Sequence, residues 1–178
     1  LEGVEILGTP LEAIYRGEPT AADISVAVNS GAGTGVLFGL VFLICGLAFK
    51  ISAVPFHMWT PDVYQGAPTS ITAYMATGIK AAAFGAFLRV FYTGFAPFLI
   101  SWSEMLSIIA VATMTLGNIT ALVQDDVKRM LAYSSIAHAG YILIAFVIGD
   151  QVASASILYY LLVYTFMNIG AFTIVILL

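Results

Sequence analysis

The chain has 178 residues, of which 61% are hydrophobic and 9% charged, with a mean hydropathy of +1.00. Soluble domains carry about 25% charged residues, so a water-facing globular domain is excluded and the chain falls in the membrane class. The formal net charge of -4 comes mostly from one end, where Glu2, Glu5, Glu12, Glu18 and Asp23 face only Arg16, which describes a solvated segment and not a nucleic-acid surface.

Residues 1–32 read as an extramembrane acidic loop, with Pro10, Gly17 and Pro19 as breakers and room for short helical or strand pieces. The first residues are acidic and lack a basic start followed by an apolar core, so no signal peptide is expected. Residues 33–178 read as a transmembrane helical bundle with approximate spans 33–59, 69–92, 101–123, 127–148 and 153–178. Each is long enough to cross a hydrocarbon core of roughly 30 Å. The apolar run at Ile174 to Leu178 reaches the last residue, which suggests part of a larger membrane protein.

The first span holds Lys50, Ser52 and Pro55. Proline cannot donate to the carbonyl one turn back and clashes with it. A broken helix lining a polar cavity is therefore expected, with the break between Ser52 and Phe56. Thr60, Pro61 and Asp62 look like the N-cap and first positions of a short helix, with Gly66 as its stop. Trp102 is placed as an interfacial anchor of the third span. Gln124 to Arg129 is a very short charged turn, so the third and fourth spans should be antiparallel neighbours.

Two lysines and a histidine lie deep in these spans. A lysine at a helix centre costs roughly 2.5–3.5 kcal/mol on insertion scales, so each needs a reason. Counted at 1.5 Å per residue, Lys50 lies about 15 Å before the Thr60 turn, Lys80 about 16 Å after Thr69, and His138 about 16 Å after Val127. In an up-down arrangement all three sit near one plane, facing the bundle interior or internal water. Groups that gain and lose protons along such a layer make a proton relay. The alternatives are ion pairing of the lysines with acidic groups elsewhere and a packing role for His138. His57 could hydrate or gate the cavity, or act as a structural cap. Ser52, Ser134, Ser135, Thr72, Thr77, Asn118, Tyr141, Tyr164 and Asn168 could hold waters or join helices. Asp62, Asp125 and Asp126 lie in turns and read as caps. Cys45 allows no internal disulfide, and there is no GxGxxG, P-loop or HExxH motif. No metal or cofactor site is expected in this chain.

Two stretches resemble one family. Residues 50–68, KISAVPFHMWTPDVYQGAP, are similar to the core of the antiporter-like membrane subunits of respiratory complex I, with TPDVYQGAP nearest to the subunit N branch. Residues 126–141, DVKRMLAYSSIAHAGY, resemble that family's second signature. The resemblance implies an all-α polytopic membrane bundle: about five helices of a subunit of about fourteen, built from two inverted repeats with one broken helix each. The first span would be the first broken helix, broken at Pro55. Lys50 falls on the broken-helix lysine, which in the family pairs with a glutamate on a helix not seen in this sequence. Lys80 falls on the central-axis lysine and His138 on a histidine toward the second half-channel.

The implied function is proton translocation in an NADH:quinone oxidoreductase of the bacterial cytoplasmic or mitochondrial inner membrane. NADH, FMN, iron–sulfur clusters and quinone would belong to other subunits, and the partners would be the other membrane subunits, the lipid bilayer and protons, with no nucleic acid. A multisubunit cation/proton antiporter and a structural membrane scaffold are the alternatives.

Overall fold

The structure, a computed structural model, describes residues 5–6, 9–10, 32–95, 99–149 and 151–177. Most of the expected acidic loop lies outside these residues. What is described there is a short antiparallel pair, β1 (Glu5–Ile6) with β2 (Thr9–Pro10), Glu5 opposite Pro10. Every other regular element among the described residues is helical. The chain divides into two compact units, Leu1–Ile44 and Cys45–Leu178.

Helix α1 (Ala32–Ile51) ends four residues before Pro55, where the proline ring would meet the Ile51 carbonyl. Ser52 takes φ +66°, a left-handed conformation uncommon outside glycine, and the Val54–Pro55 peptide is cis. The break is therefore where Pro55 placed it. Its polar groups are satisfied by protein: Ala53 N–H donates to Ala48 O (2.8 Å), Val54 N–H to Thr113 Oγ1 (3.0 Å) and the Trp59 indole to Phe49 O (3.1 Å). Irregular backbone at membrane depth requires such partners. Within the expected first span, residues 33–59, the helix stops at Ile51, and its apolar part is Leu37–Ile51.

Helix α2 (Trp59–Gly66) starts two residues earlier than expected and has no side-chain cap. Thr60 is not the N-cap, because its hydroxyl is buried and donates to Ser52 Oγ at 2.7 Å, back into the break. Next comes a rod made of α3 (Thr69–Tyr74), a π-helical turn (Met75–Ile79), α4 (Lys80–Arg89) and a second π turn (Val90–Gly94). Helices α5 (Leu99–Ala121), α6 (Val127–Ile148) and α7 (Gln151–Leu177) complete the order. Among the described residues four stretches are long and apolar enough to cross a membrane: Thr69–Tyr92, Trp102–Ala121, Val127–Ile148 and Val152–Leu177.

Helices α5 and α6 pack most closely, as the short turn between them requires. A Cβ at Gly117 would lie 2.7 Å from Ala137 N, and one at Gly140 2.8 Å from Met114 N. Glycines here let two backbones touch, the usual means of helix association where lipid removes the hydrophobic incentive. Asp126 caps α6, accepting from Arg129 N–H at 2.9 Å, and Gly149 ends it with φ +75°.

One end of this packing is an aromatic block. Phe87 stacks on Phe91 with centroids 4.6 Å apart, and Phe146 meets Phe87 edge-on at 5.0 Å. Trp102 belongs to it. Its side chain is 0% exposed, lies 5.4 Å from Phe91 and donates from Nε1 to Phe95 O at 2.8 Å. The interfacial-anchor expectation is corrected: the indole N–H is satisfied by protein, so nothing draws the ring outward.

Candidate functional site

Lys80 is the first residue of α4, directly after the π turn Met75–Ile79. A π turn inserts one extra residue and rotates the helix beyond it, and such turns are frequent at functional sites. The side chain is 3% exposed. Nζ donates to Ser135 Oγ at 2.5 Å and to Ser135 O at 2.8 Å, both on α6. These are neutral groups, and among the described residues Lys80 makes no ion pair.

Three helices converge on that serine. Tyr164 of α7 donates to Ser135 Oγ at 2.7 Å, beside the Lys80 ammonium of α4. Small residues make room for the rings: Tyr64 packs in a buried cluster with Ala76, Ala132 and Phe172. Tyr64 is held at its other end, where its carbonyl accepts from Thr72 Oγ1 at 3.1 Å. Asn168 Nδ2 donates to Tyr164 O at 2.9 Å, fixing that turn of α7.

His138 lies one turn beyond Ser135 on α6 and interacts electrostatically with Lys80. Its Nδ1 is 2.6 Å from Tyr160 OH. The ring also contacts Tyr164 (centroids 5.2 Å) and Tyr141 edge-on (5.6 Å). Asn118 Nδ2 donates to Tyr141 OH at 2.7 Å. A partly open pocket of about 120 Å³ is lined by His138, Tyr160, Val163, Tyr164 and Met167. A polar path thus runs from Lys80 through Ser135 and Tyr164 to the edge of a water-sized space beside His138.

Lys80 and His138 come together, but Lys50 is exposed and takes no part in the Ser135 cluster. The depth count assumed helix as far as residue 59, and the helix stops at Ile51. Lys50 is in the last turn of α1, where the negative end of the helix dipole favours a cation. His57 is half-buried in the break, and its Nδ1 makes no hydrogen bond. Ser52 holds Thr60, and Thr77 Oγ1 turns back to Ala73 O at 2.8 Å, so neither joins the site.

A second polar cluster ties the broken-helix turn to the α5–α6 turn. Arg129 pairs with Asp62 at 2.6 Å and donates to Gln65 Oε1 at 2.9 Å. Lys128 Nζ donates to the carbonyls of Gln65 (3.0 Å) and Ala67 (2.6 Å), closing the C-terminal end of α2. Among the described residues no group of His, Cys, Asp and Glu could hold a metal ion.

Sequence reasoning missed Tyr64 and Tyr160. Tyr160 lies four residues before Tyr164, hence on the same face of α7, and that spacing was a usable signal. Tyr64 had none, because a tyrosine in a polar turn gives no indication that its ring folds back under α6.

Known proteins share this chain's sequence and fold. NADH-quinone oxidoreductase subunit N of Trichlorobacter lovleyi is 53% identical over 156 residues, covering 88% of this chain and 32% of that protein. NAD(P)H-quinone oxidoreductase subunit 2 of Thermosynechococcus vestitus is 51% identical over 148 residues, covering 83% and 29%. A chain of respiratory complex I from Thermus thermophilus, solved with bound aureothin, superposes with a TM-score of 0.65 at 42% identity, covering 76% of this chain and 29% of that one. The chain thus spans about a third of the length of the curated relatives it matches. The family described as NADH:quinone oxidoreductase/Mrp antiporter, TM, matches residues 16–178. With that match and its apolar spans, the chain is a multi-pass integral membrane protein and belongs to the NADH:quinone oxidoreductase/Mrp antiporter transmembrane family.

Proposed function

We propose that this chain forms part of an antiporter-like, proton-translocating membrane subunit of an NADH:quinone oxidoreductase. Lys80 carries the proton, His138 relays it toward the pocket beside Tyr160, and Lys50, at the end of the broken helix, and His57, within the break, serve the adjoining segment. Oxidation of NADH and reduction of quinone belong to other subunits, which hold the FMN and iron–sulfur clusters. The names of the relatives support the assignment to the complex.

The observation that carries the reading is the environment of Lys80: buried, yet bonded to the hydroxyl and carbonyl of Ser135 and to no carboxylate among the described residues. A lysine kept for structural pairing needs an anion. One held by neutral groups is free to exist in either charge state, since desolvation disfavours the cation and hydrogen bonds support it.

The test is proton pumping and NADH:quinone turnover in membrane vesicles, normalised to assembled complex, for Lys80→Ala and Lys80→Arg. Arginine keeps the charge and does not deprotonate in the working range. Both variants are expected to assemble and to lose pumping. Normal pumping in both would remove Lys80 from the relay. Lost assembly in the alanine variant, rescued by arginine, would select a scaffold role. Pumping that depends on sodium and not on quinone turnover would select a cation/proton antiporter.

A further inference from the structure

We propose that Gln65 is a positioning residue, which holds α2 as a strut between the break beside Lys50 and the site that holds Lys80. The inference rests on the reading of Lys80 as a proton carrier.

Gln65 is the penultimate residue of α2. Three of its polar atoms are used at the start of α6. Its Nε2 donates to Asp126 Oδ2 at 3.2 Å, its Oε1 accepts from Arg129 Nη1 at 2.9 Å, and its carbonyl accepts from Lys128 Nζ at 3.0 Å. Arginine only donates and an ionised aspartate only accepts, so the amide oxygen must face Arg129 and the amide nitrogen Asp126. The side chain therefore has one workable orientation. Asp126 is divided in a matching way: Oδ1 caps α6 by accepting from Arg129 N–H, and Oδ2 takes Gln65. Asp62 also meets Arg129, but through one oxygen of an exposed side chain. Gln65 meets three residues through three atoms, which sets a direction as well as a distance.

The other end of α2 is tied to the break. The Trp59 indole donates to the carbonyl of Phe49, the residue before Lys50, and the two rings lie 5.5 Å apart. Thr60 Oγ1 donates to Ser52 Oγ at 2.7 Å. Between the two ends, Tyr64 packs its buried ring with Ala76, in the π turn just before Lys80, and with Ala132, three residues before Ser135 on α6. A helix of eight residues is thus anchored at the break, anchored at α6, and packed from its middle against the elements that seat Lys80.

Gln65 is exposed, so water replaces its hydrogen bonds at little cost when they are lost. Its removal should spare assembly and instead let α2, and Tyr64 with it, shift against α6. Such a role is one of coupling, and only a measurement of coupling tests it.

The experiment is protons moved per NADH oxidised in membrane vesicles, with the amount of assembled complex measured alongside. The variants are Gln65→Ala, Gln65→Glu, Asp126→Asn, the Gln65→Glu/Asp126→Asn double, and Lys80→Ala. Gln65→Glu sets two carboxylates face to face. Asp126→Asn keeps the cap through Oδ1 but turns an amide N–H toward Gln65 Nε2. In the double variant the asparagine amide donates to the glutamate, so the same bond stands with its polarity inverted. Each of the three single variants at these two positions should lower the proton ratio about threefold with assembly unchanged. The double should return to within about 1.5-fold of wild type, far from the product of its singles. Gln65→Glu/Asp125→Asn restores the net charge without the bond to position 126, and should stay as low as Gln65→Glu. Wild-type ratios in all three singles, beside lost pumping in Lys80→Ala, overturn this inference alone. Normal pumping in Lys80→Ala overturns the relay reading and this inference with it. If Gln65→Ala does not assemble, the exchange decides: a double variant no better than its worse single, or one matched by the Asp125 control, refutes the positioning role.

Discussion

Val54 and Thr113 are 59 positions apart in sequence, yet the Val54 N–H donates to Thr113 Oγ1 at 3.0 Å. Thr113 in turn donates to Ile109 O at 2.5 Å, so the hydroxyl is buried and used in both senses. The break in the first membrane helix is thus pinned from α5, by a residue that keeps the hydrogen bond to its own helix.

Thr113→Val should unpin the break. Valine matches the shape but leaves the Val54 N–H unpaired, at a cost of about 1–3 kcal/mol. Thr113→Ser should keep the bond. Thermal denaturation of the purified complex measures the difference, and equal stability of the valine and serine variants would mean that the bond is dispensable.

The glycines at the α5–α6 contact should tolerate no side chain. Gly117→Ala and Gly140→Ala put a Cβ within 3 Å of partner backbone, which cannot yield as a side chain can. Overpacking of this kind costs about 1–3 kcal/mol. Gly46→Ala and Gly85→Ala, with no atom within 4 Å of the added carbon, should be silent. The yield of assembled complex after detergent extraction checks the contrast.

Two aspartates near Arg129 should behave differently. Asp126 caps α6, and Asp126→Ala should cost about 1 kcal/mol, largely recovered in Asp126→Asn. Asp62 is 74% exposed, and its ion pair with Arg129 is open to solvent. Asp62→Asn should leave stability unchanged, because exposed pairs are screened and entropically costly. A melting curve for each variant at low and high salt decides.

The His138 ring should depend on Tyr160 for orientation. Tyr160→Phe removes the partner at 2.6 Å while leaving the apolar lining of the pocket nearly intact. Pumping should fall by about threefold to tenfold, the value of one buried hydrogen bond, with assembly unchanged. Tyr159→Phe, one position along on the exposed face of α7, is the control and should match wild type.

The membrane class, the break at Pro55 and the span of α6 were legible in the sequence, because each rests on a local cause. Apolar length demands a helix in lipid, proline removes a donor and collides with a carbonyl four residues back, and Asp126 and Gly149 mark the two ends of α6. That Lys80 and His138 need an explanation was legible for the same reason, since a buried ionisable group is costly wherever it points. Their neighbours were not. Which hydroxyl meets Lys80 depends on the rotation added by the π turn before it, and the approach of α6 depends on Gly117 and Gly140. The depth of Lys50 was counted with a rise per residue carried across a segment that is not helical, since α1 ends at Ile51. Trp102 was sent outward because its type favours interfaces, when its ring had Phe91 and Tyr92 in the fold to pack against. Local sequence determined where helices run and stop and which charges need an explanation. The tertiary structure alone decided which polar atoms satisfy them, because hydrogen bonds between helices depend on distances of a few tenths of an ångström that no periodicity encodes.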